Sequence, residues 1–240
     1  MPEIEPVDLV LTDPPYGITG CRWDSIIHLK SMWDSLERIV KPDGAIVLMA
    51  SQPFVSVLVM SNLEMFRYEW IWRKNRVTGF LNAKKRPLVR HEHIVMFSQK
   101  NNTYNPQMKK GRVHTRGGKH DRASDIYGEF KDSIYESNEW YPDSVLDFDC
   151  QSDGCVTFAH RPNRIKTHPT QKPVALMIYL IETYTNKGGK ILDFTIGSGT
   201  TAIACEKLNR RWIGIEISEE YCEIAAKRIE NETRQLKLFV

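Results

Sequence analysis

Apolar and polar residues follow one another in blocks that predict strands and helices in turn. The run VDLVLTD over residues 7–13 is apolar, starts among acids and ends at two prolines, as is typical of a buried strand. Apolar residues recur at helical spacing over 25–40, and the turn KPDG then separates this helix from a strand over 45–51. A helix over 53–63 continues the alternation of strands and helices.

The same alternation continues through the rest of the chain outside one central stretch. EWIWRK and HIVMFSQ are predicted as strands, and VALMIYLIETYT is predicted as a helix that two glycines end. The strand KILDF, a helix over 200–208, the strand RWIGIEI and a helix opening at Ser218 complete the pattern. This order predicts an α/β fold, a Rossmann-like, doubly wound and mostly parallel sheet.

Regular periodicity fades in the middle of the chain. Residues 101–164 are rich in Gly, Asn, Asp and Ser and have only weak periodicity, which predicts an inserted lobe. We therefore expect residues 1–100 and 168–240 to form two halves of one domain, with a lobe over 101–167 between them.

Composition narrows the class of protein. The 240 residues have a mean hydropathy of −0.41, no apolar run long enough to span a membrane, and no basic and apolar leader at the N-terminus. Five scattered cysteines without a CxxC pair fit a reducing compartment, so we expect a cytoplasmic protein with no membrane partner. The histidines lack the spacing of zinc ligands, and no metal is expected.

The net charge of +3 hides a strong asymmetry along the chain. Residues 73–120 hold thirteen Lys or Arg against Glu92 alone, a net charge of +12, whereas residues 121–160 carry ten acids against two basic residues, a net charge of −8. The basic stretch also contains aromatic residues and suits phosphate contacts with base stacking, although a solvated face would give the same pattern.

A glycine-rich turn follows the strand KILDF. The sequence TIGSGTT places Gly197 and Gly199 where the backbone can approach a ligand at the carboxyl end of a strand. Glu216 ends the next strand about 20 residues later, a position from which a carboxylate accepts hydrogen bonds from ribose hydroxyls. The third glycine of the dinucleotide fingerprint is missing, because position 202 is Ala. A nucleotide-like cofactor other than NAD is expected.

The first strand ends at a second candidate site, the tetrapeptide DPPY. Two prolines stiffen the backbone and leave the Asp13 carboxylate and the Pro14 carbonyl as fixed acceptors, while Tyr16 offers an aromatic face. Acceptors aimed at the two hydrogens of an exocyclic base amine make its nitrogen a better nucleophile. A Pro-Pro turn with a solvated Asp is the alternative for the tetrapeptide taken alone.

Together these residues resemble the amino-group DNA methyltransferases that use S-adenosylmethionine. The stretches that look like successive motifs of this family are DPPY at 13–16, KPDG at 41–44, RHEHIVMF at 90–97, HPTQKP at 168–173, DFTIGSGTT at 193–201 and IGIEIS at 213–218. Because the tetrapeptide precedes the cofactor turn, the order resembles the permuted beta arrangement of the family. The resemblance implies a class I methyltransferase fold with a target-recognition lobe.

The resemblance also implies site residues. Asp13, Pro14, Pro15 and Tyr16 would hold a target base flipped out of the duplex. The cofactor would be bound by Thr170, Gln171, Lys172, Asp193, Thr195, Gly197, Ser198, Gly199, Thr200, Thr201 and Glu216. Within this set Glu216 would bind the ribose, and Lys172 would pair with the carboxylate of the cofactor. In the family a segment that supplies a strand and an acidic residue near the cofactor's adenine usually precedes DPPY, and here twelve residues precede Asp13.

Duplex DNA is the implied partner. The candidate DNA contacts are Arg86, Arg90, Lys109, Lys110, Arg112, Arg116, Arg161 and Arg164. The expected activity is site-specific methylation of adenine N6, because Asp opens the tetrapeptide; methylation of cytosine N4 and a non-catalytic DNA-binding role are the alternatives. A homodimer stays open, and the sequence does not encode whether a restriction partner exists.

Overall fold

The computed structural model describes residues 4–17, 24–118, 133–149 and 171–237. Its strands are β1 (Val7–Thr12), β2 (Val40–Ala50), β3 (Phe66–Thr78), β4 (Val89–Phe97), β5 (Lys109–Gly118), β6 (Ser133–Trp140), β7 (Val145–Asp147), β8 (Lys190–Asp193) and β9 (Arg211–Gly214). Its α-helices are α1 (Leu29–Ile39), α2 (Phe54–Ser61), α3 (Val174–Tyr184), α4 (Thr200–Lys207) and α5 (Glu219–Lys237).

Seven strands form one sheet in the order β7-β3-β4-β2-β1-β8-β9. β4 pairs antiparallel with β2 and β3, and the other neighbouring strands of this sheet pair in parallel. Helices connect the parallel strands and cover the sheet, as short βαβ connections require. The predicted α/β fold with a mostly parallel sheet is confirmed.

The period of two along the central strands explains why both faces of the sheet are buried. Leu9 and Leu11 point to the face that α3 covers, whereas Val10 points to the face covered by α1 and α2. Both faces are apolar, so β1 is a continuous hydrophobic run rather than an alternating one. A membrane-crossing role finds no support in the helices that the structure describes, since none is long and apolar enough.

The predicted turn at KPDG lies inside β2 instead. Between two ladder pairs, Val7 with Val40 and Leu9 with Ala45, β2 contains more residues than β1, and the excess is absorbed as a bulge. The carboxylate of Asp8 accepts a hydrogen bond from Lys41 Nζ at 2.6 Å and so holds this bulge against β1. The turn chemistry of Pro and Gly therefore produces an irregular strand here.

The strand order brings particular strand ends together at one edge of the sheet. β1 lies between β2 and β8, and the carboxyl ends of β1 and β8 share an edge because the two strands are parallel. β3 also ends at this edge, and the antiparallel β4 begins there. Ligands of open α/β sheets bind at the carboxyl edge of the strands.

Residues 106–143 form a second compact unit, separate from the unit that contains the sheet. The antiparallel hairpin of β5 and β6 is its described core, and the rings of His114 and Trp140 lie 3.9 Å apart there. β7 falls within the predicted lobe of 101–167 but pairs with β3 of the main sheet. The bounds of a target-recognition lobe remain a prediction, since much of 119–170 lies outside the described residues.

Candidate active site

Asp13 follows the last residue of β1 and is held from two sides. The hydroxyl of Tyr16 donates a hydrogen bond to Oδ1, and the ammonium of Lys172 donates one to Oδ2. Tyr16 in turn stacks on Phe54, with ring centroids 5.5 Å apart. The two prolines between Asp13 and Tyr16 fix the backbone, so the carboxylate has a defined orientation at the edge of the sheet.

Lys172 belongs to a buried chain of alternating charges. Its Nζ lies 3.4 Å from Oε2 of Glu92, and Oε1 of Glu92 accepts a hydrogen bond from Lys74 at 3.0 Å. The Lys172 side chain is 8% exposed. Burial opposes its charge, but the carboxylates of Asp13 and Glu92 outweigh burial and raise the pKa of Lys172. The pKa of Glu92 is lowered, because the ammonium groups of Lys172 and Lys74 outweigh its own burial.

Sequence analysis did not single out Glu92 or Lys74 as site residues, although the strand period contains the signal. Lys74 follows the buried Trp70 and Trp72 on the same face of β3, at a spacing of two. Glu92 precedes Ile94 on the corresponding face of β4. Charged residues on an otherwise apolar face must be paired, and this face becomes charged where it reaches the carboxyl edge.

Burial and these charges also act on Tyr16. Desolvation raises the pKa of the Tyr16 phenol well above its ordinary value, and the carboxylates of Asp13 and Glu92 raise it further. The phenol therefore stays protonated and acts as a hydrogen-bond donor to Asp13 at physiological pH.

Asp193 ends β8, where the predicted cofactor turn begins. Its carboxylate accepts hydrogen bonds from Thr12 Oγ1 at 2.7 Å, from Thr201 Oγ1 at 2.6 Å and from the Thr195 amide at 3.1 Å. Burial raises the pKa of Asp193 to about 6, and these hydrogen bonds partly oppose the rise. Asp193 is thus the buried centre around which the turn folds.

Thr195 joins the cofactor turn to the tetrapeptide. Its hydroxyl donates a hydrogen bond to the backbone carbonyl of Asp13 at 3.1 Å and lies 2.6 Å from the hydroxyl of Thr12. The two predicted sites are therefore adjacent, and Thr12 is a further residue at this junction that sequence analysis did not select.

Glu216, two residues after the end of β9, closes the turn. Its Oε2 accepts a hydrogen bond from the Gly197 amide at 2.9 Å, and its Oε1 accepts from the amides of Ile217 and Ser218 at 3.0 and 2.9 Å. One carboxylate thus ties the turn to the start of α5. Oε1 thus accepts two of these hydrogen bonds and Oε2 accepts one, so the second lone pair of Oε2 leaves acceptor capacity for a ligand.

Gly199 permits the close packing of the turn. Its φ of +82° is a left-handed conformation, and a Cβ placed there would lie 3.2 Å from Cβ of Ala225 on α5. Arg228 of α5 donates hydrogen bonds to the Ser198 carbonyl and to Thr200 Oγ1, each at 3.0 Å. The sequence pattern did not indicate Arg228 as a site residue.

The remaining predicted cofactor residues lie at the same edge where they are described. Gln171 is buried, and its Oε1 accepts a hydrogen bond from Ser198 Oγ at 3.4 Å. Thr200 and Thr201 form the first turn of α4. Thr170 lies outside the described residues. The chemistry of this set fits S-adenosylmethionine, since Gly197 has a left-handed conformation, is only partly buried and lets a ligand approach the backbone beside the carboxylate of Glu216.

The candidate DNA contacts divide between the two compact units. Arg86 and Arg90 are exposed in the sheet unit, close to the start of β4, whereas Lys109, Lys110 and Arg112 are exposed on β5 of the second unit. Lys109 forms an ion pair with Asp143 at 3.0 Å. The Arg116 side chain and residues Arg161 and Arg164 lie outside what the structure describes. Among the described residues no His, Cys, Asp and Glu cluster suits a metal ion.

The family model described as a DNA methylase, N6_N4_Mtase, matches residues 7–227 of the chain. The type II methyltransferase M.HpaI of Haemophilus parainfluenzae is 28% identical over 239 residues, which cover 94% of this chain and 69% of that protein. The DNA adenine methyltransferase YhdJ of Escherichia coli K12 is 29% identical over 241 residues, covering 94% and 77%.

Solved structures agree with these relatives. The crystal structure of the M1.HpyAVI–SAM complex aligns with a TM-score of 0.59 at 25% identity, over 93% of this chain and 90% of that chain. The site geometry, the sheet topology and the family match lead to the same assignment: the chain belongs to the N6/N4 DNA methylase family and has the fold of the class I, S-adenosylmethionine-dependent methyltransferases.

Proposed function

We propose that this protein transfers the methyl group of S-adenosylmethionine to the N6 amine of adenine in DNA. The observation that carries the proposal is the hydrogen bond from Thr195 to the Asp13 carbonyl, at 3.1 Å. It joins the turn that suits the cofactor to the tetrapeptide that suits the base. The DNA adenine methyltransferase of Escherichia coli among the relatives favours adenine as the target.

Asp13 and Pro14 would bind the amine. The Asp13 carboxylate and the Pro14 carbonyl would each accept one N–H of the amine, which favours a pyramidal nitrogen with its lone pair available for attack. Pro14 is buried and its ring restricts the backbone, so the carbonyl keeps its direction. These acceptors have to be in place before the base arrives, because rearranging them would add to the barrier.

Tyr16 and Lys172 would act as positioning residues for Asp13. Each donates to a different carboxylate oxygen, so the carboxylate cannot rotate freely. Glu92 and Lys74 extend the chain of charges inward and keep Lys172 directed at Asp13. A flipped base would then meet a carboxylate of fixed orientation.

S-adenosylmethionine supplies an electrophilic methyl group bonded to a sulfonium sulfur. Glu216 would accept a hydrogen bond from a ribose hydroxyl through Oε2 while continuing to hold the turn through three backbone amides. Thr170, Gln171 and Lys172 precede the turn in the sequence, whereas Glu216 follows it. Gln171 contacts the turn at Ser198, and these three residues would approach the amino-acid end of the cofactor. Asp193 would stabilise the turn through the hydrogen bonds that it accepts from Thr195 and Thr201.

Duplex DNA is the proposed macromolecular partner. Exposed Arg86 and Arg90 of the sheet unit and Lys110 and Arg112 of the second unit would bind phosphates. Residues 101–167 are proposed to form the target-recognition lobe.

M.HpaI is named a type II methyltransferase, so we also propose a restriction-modification role, in the cytoplasm where DNA is accessible. A homodimer is a further proposal, for which sedimentation analysis is the test.

The experiment is transfer of labelled methyl from S-adenosylmethionine to mixed-sequence duplex DNA, followed by identification of the labelled nucleoside. Label in N6-methyladenine supports the proposal. Label in N4-methylcytosine would replace adenine by cytosine and keep the enzyme class. If the folded protein binds DNA with a steep salt dependence but neither binds S-adenosylmethionine nor transfers label, the non-catalytic alternative is correct.

A further inference from the structure

The loop between β3 and β4, residues 79–88, presents two adjacent apolar side chains to solvent. Phe80 is 76% exposed and Leu81 is 85% exposed. The loop is nevertheless ordered by its own backbone, since the Asn82 amide donates to the Gly79 carbonyl at 2.9 Å and the Arg86 amide donates to the Asn82 carbonyl at 3.0 Å. An ordered turn that displays neighbouring apolar side chains is typical of a surface that a partner covers.

The charge around this loop indicates the chemistry of that partner. Residues 73–91 contain seven Lys or Arg and no acid. Arg73 and Lys74 pair with Asp147 and Glu92 inside the sheet unit, at 2.6 and 3.0 Å. Lys84, Lys85 and Arg86 are exposed in the loop itself. Apolar side chains beside exposed cations suit a polyanion with an apolar interior, which describes duplex DNA.

The position of the loop links it to the reaction. β3 ends and β4 begins at the carboxyl edge of the sheet, so the loop projects from the edge that carries Asp13. Glu92 is the fourth residue of β4, and its Oε2 lies 3.4 Å from Lys172, which itself contacts Asp13. Three residues of extended chain span about 10 Å, so the base of the loop is near the site.

We propose that Phe80 and Leu81 form an apolar wedge that enters the DNA duplex beside the target adenine while Lys84, Lys85 and Arg86 bind the flanking phosphates. This inference rests on the proposed function and adds how the base becomes available. A base inside the duplex is hidden from Asp13, and moving it out costs the energy of its stacking and pairing. Side chains that occupy the vacated space keep the base outside the stack.

The test compares the double variant Phe80→Ala/Leu81→Ala with the wild-type full chain. We expect kcat/KM for duplex DNA to fall about 10-fold or more, since stacking on one base is worth this much, while the Kd for S-adenosylmethionine changes less than about twofold. Phe80→Trp, which keeps a ring able to stack, should retain most of the activity. Leu63→Ala is the matched control: Leu63 is 56% exposed and lies before β3, at the opposite edge of the sheet.

A mismatched substrate separates a wedge from a merely structural role. After the methylated sequence is mapped in wild-type product, the same duplex is prepared with a mismatch opposite the target adenine. Because a mismatched base is easier to move out of the stack, we expect the double variant to recover to within about threefold of the wild type on this substrate. Equal impairment on matched and mismatched duplexes would overturn the wedge.

The remaining outcomes are also distinct. Lys85→Ala/Arg86→Ala should weaken binding to all duplexes and reduce the slope of log K against log salt by up to about 2. A shift of the sedimentation coefficient in Phe80→Ala/Leu81→Ala with unchanged DNA kinetics would show that the loop covers a second copy of the chain, contrary to the proposal. Absence of methyl transfer by the wild type would contradict the proposed function, which is a different result from a duplex-specific loss in the variant.

Discussion

Lys172 donates a hydrogen bond to Asp13 although 159 positions separate the two residues in the chain. The contact joins the segment before α3 to the end of β1, so residues from both predicted halves of the methyltransferase domain build one site. Lys172 also contacts Glu92, at 3.4 Å, and is therefore shared by two carboxylates. Sharing of this kind orients Asp13 and leaves the site dependent on a buried charge.

Substitution of Asp13 by Ala tests the role of the carboxylate directly. We expect methyl transfer to fall about 100-fold or more, because one of the two acceptors for the base amine is lost. The Kd for S-adenosylmethionine should stay within about threefold, since the Asp13 backbone carbonyl still accepts from Thr195. Single-turnover kinetics measure the rate of methyl transfer, and calorimetry measures the Kd. An unchanged rate would show that DPPY is not part of the active site.

Substitution of Lys172 by Met tests the buried chain of charges. The change leaves Glu92 and Asp13 without a shared partner, and we expect the free energy of unfolding to fall by about 3–5 kcal/mol. Adding Glu92→Gln should restore part of this loss, because fewer uncompensated charges then remain buried. Urea unfolding of the two single variants and the double variant measures the coupling.

Lys30→Met is the matched control for that substitution. Lys30 pairs with Asp34 at 3.0 Å on α1, but the two side chains are 78% and 60% exposed. Because exposed pairs are screened by water, we expect the control to change the free energy of unfolding by less than about 0.5 kcal/mol. If both Lys variants lose a similar free energy of unfolding, the buried ion pairs of Lys172 contribute no more to stability than an exposed pair does.

Much of this site follows from the sequence because strand ends determine it. Asp13 and Thr195 each follow a short apolar run, and parallel strands that are neighbours bring their carboxyl ends together. The strand and helix blocks of the main sheet were predictable from local patterns of apolar residues, such as the continuous apolar run of β1, whose Leu9 and Val10 enter the two cores. Local pattern and a single topological rule are sufficient for this level of description.

The partners of Lys172 did not follow from the sequence. The family resemblance directs its ammonium to the cofactor carboxylate, whereas the structure pairs it with Asp13 and Glu92. That pairing depends on β4 lying antiparallel beside β2 and β3, which the strand pattern alone does not determine. The turn expected at KPDG became a bulge because β1 pairs with β2 on both sides of it, at Val40 and again from Ala45 onward.

Glu216→Gln tests the closing of the cofactor turn. Glu216 accepts hydrogen bonds from three backbone amides, and its carboxylate is the proposed ribose contact. Loss of the charge should raise the Kd for S-adenosylmethionine about 10- to 100-fold, which is the range for hydrogen bonds to a charged acceptor. Calorimetry gives the Kd, and Glu220→Gln on the exposed face of α5 is the control. An unchanged Kd would remove Glu216 from the cofactor site.

The buried carboxyl of Asp193 predicts how the stability of the protein depends on pH. The Asp193 carboxyl is buried and accepts hydrogen bonds from the hydroxyls of Thr12 and Thr201 and from the Thr195 amide. A proton on this carboxyl removes the cost of burying its charge, so burial raises its pKa to about 6, although the three hydrogen bonds partly oppose the rise. The folded state therefore binds this proton more tightly than the unfolded state does, whose pKa is near the ordinary value.

Because the pKa is raised in the folded state, the stability from Asp193 is fully present below pH 3.8 and is lost as pH rises through about 6. The difference corresponds to about 3 kcal/mol. We therefore expect Asp193→Asn, which cannot ionise, to gain stability relative to the wild type between pH 4 and about 7, measured by urea unfolding at each pH. Asp34→Asn on exposed α1 controls for the loss of a carboxylate as such. A constant difference between wild type and Asp193→Asn across this range would mean that Asp193 does not titrate there, and that the turn is built on an ionised carboxylate throughout.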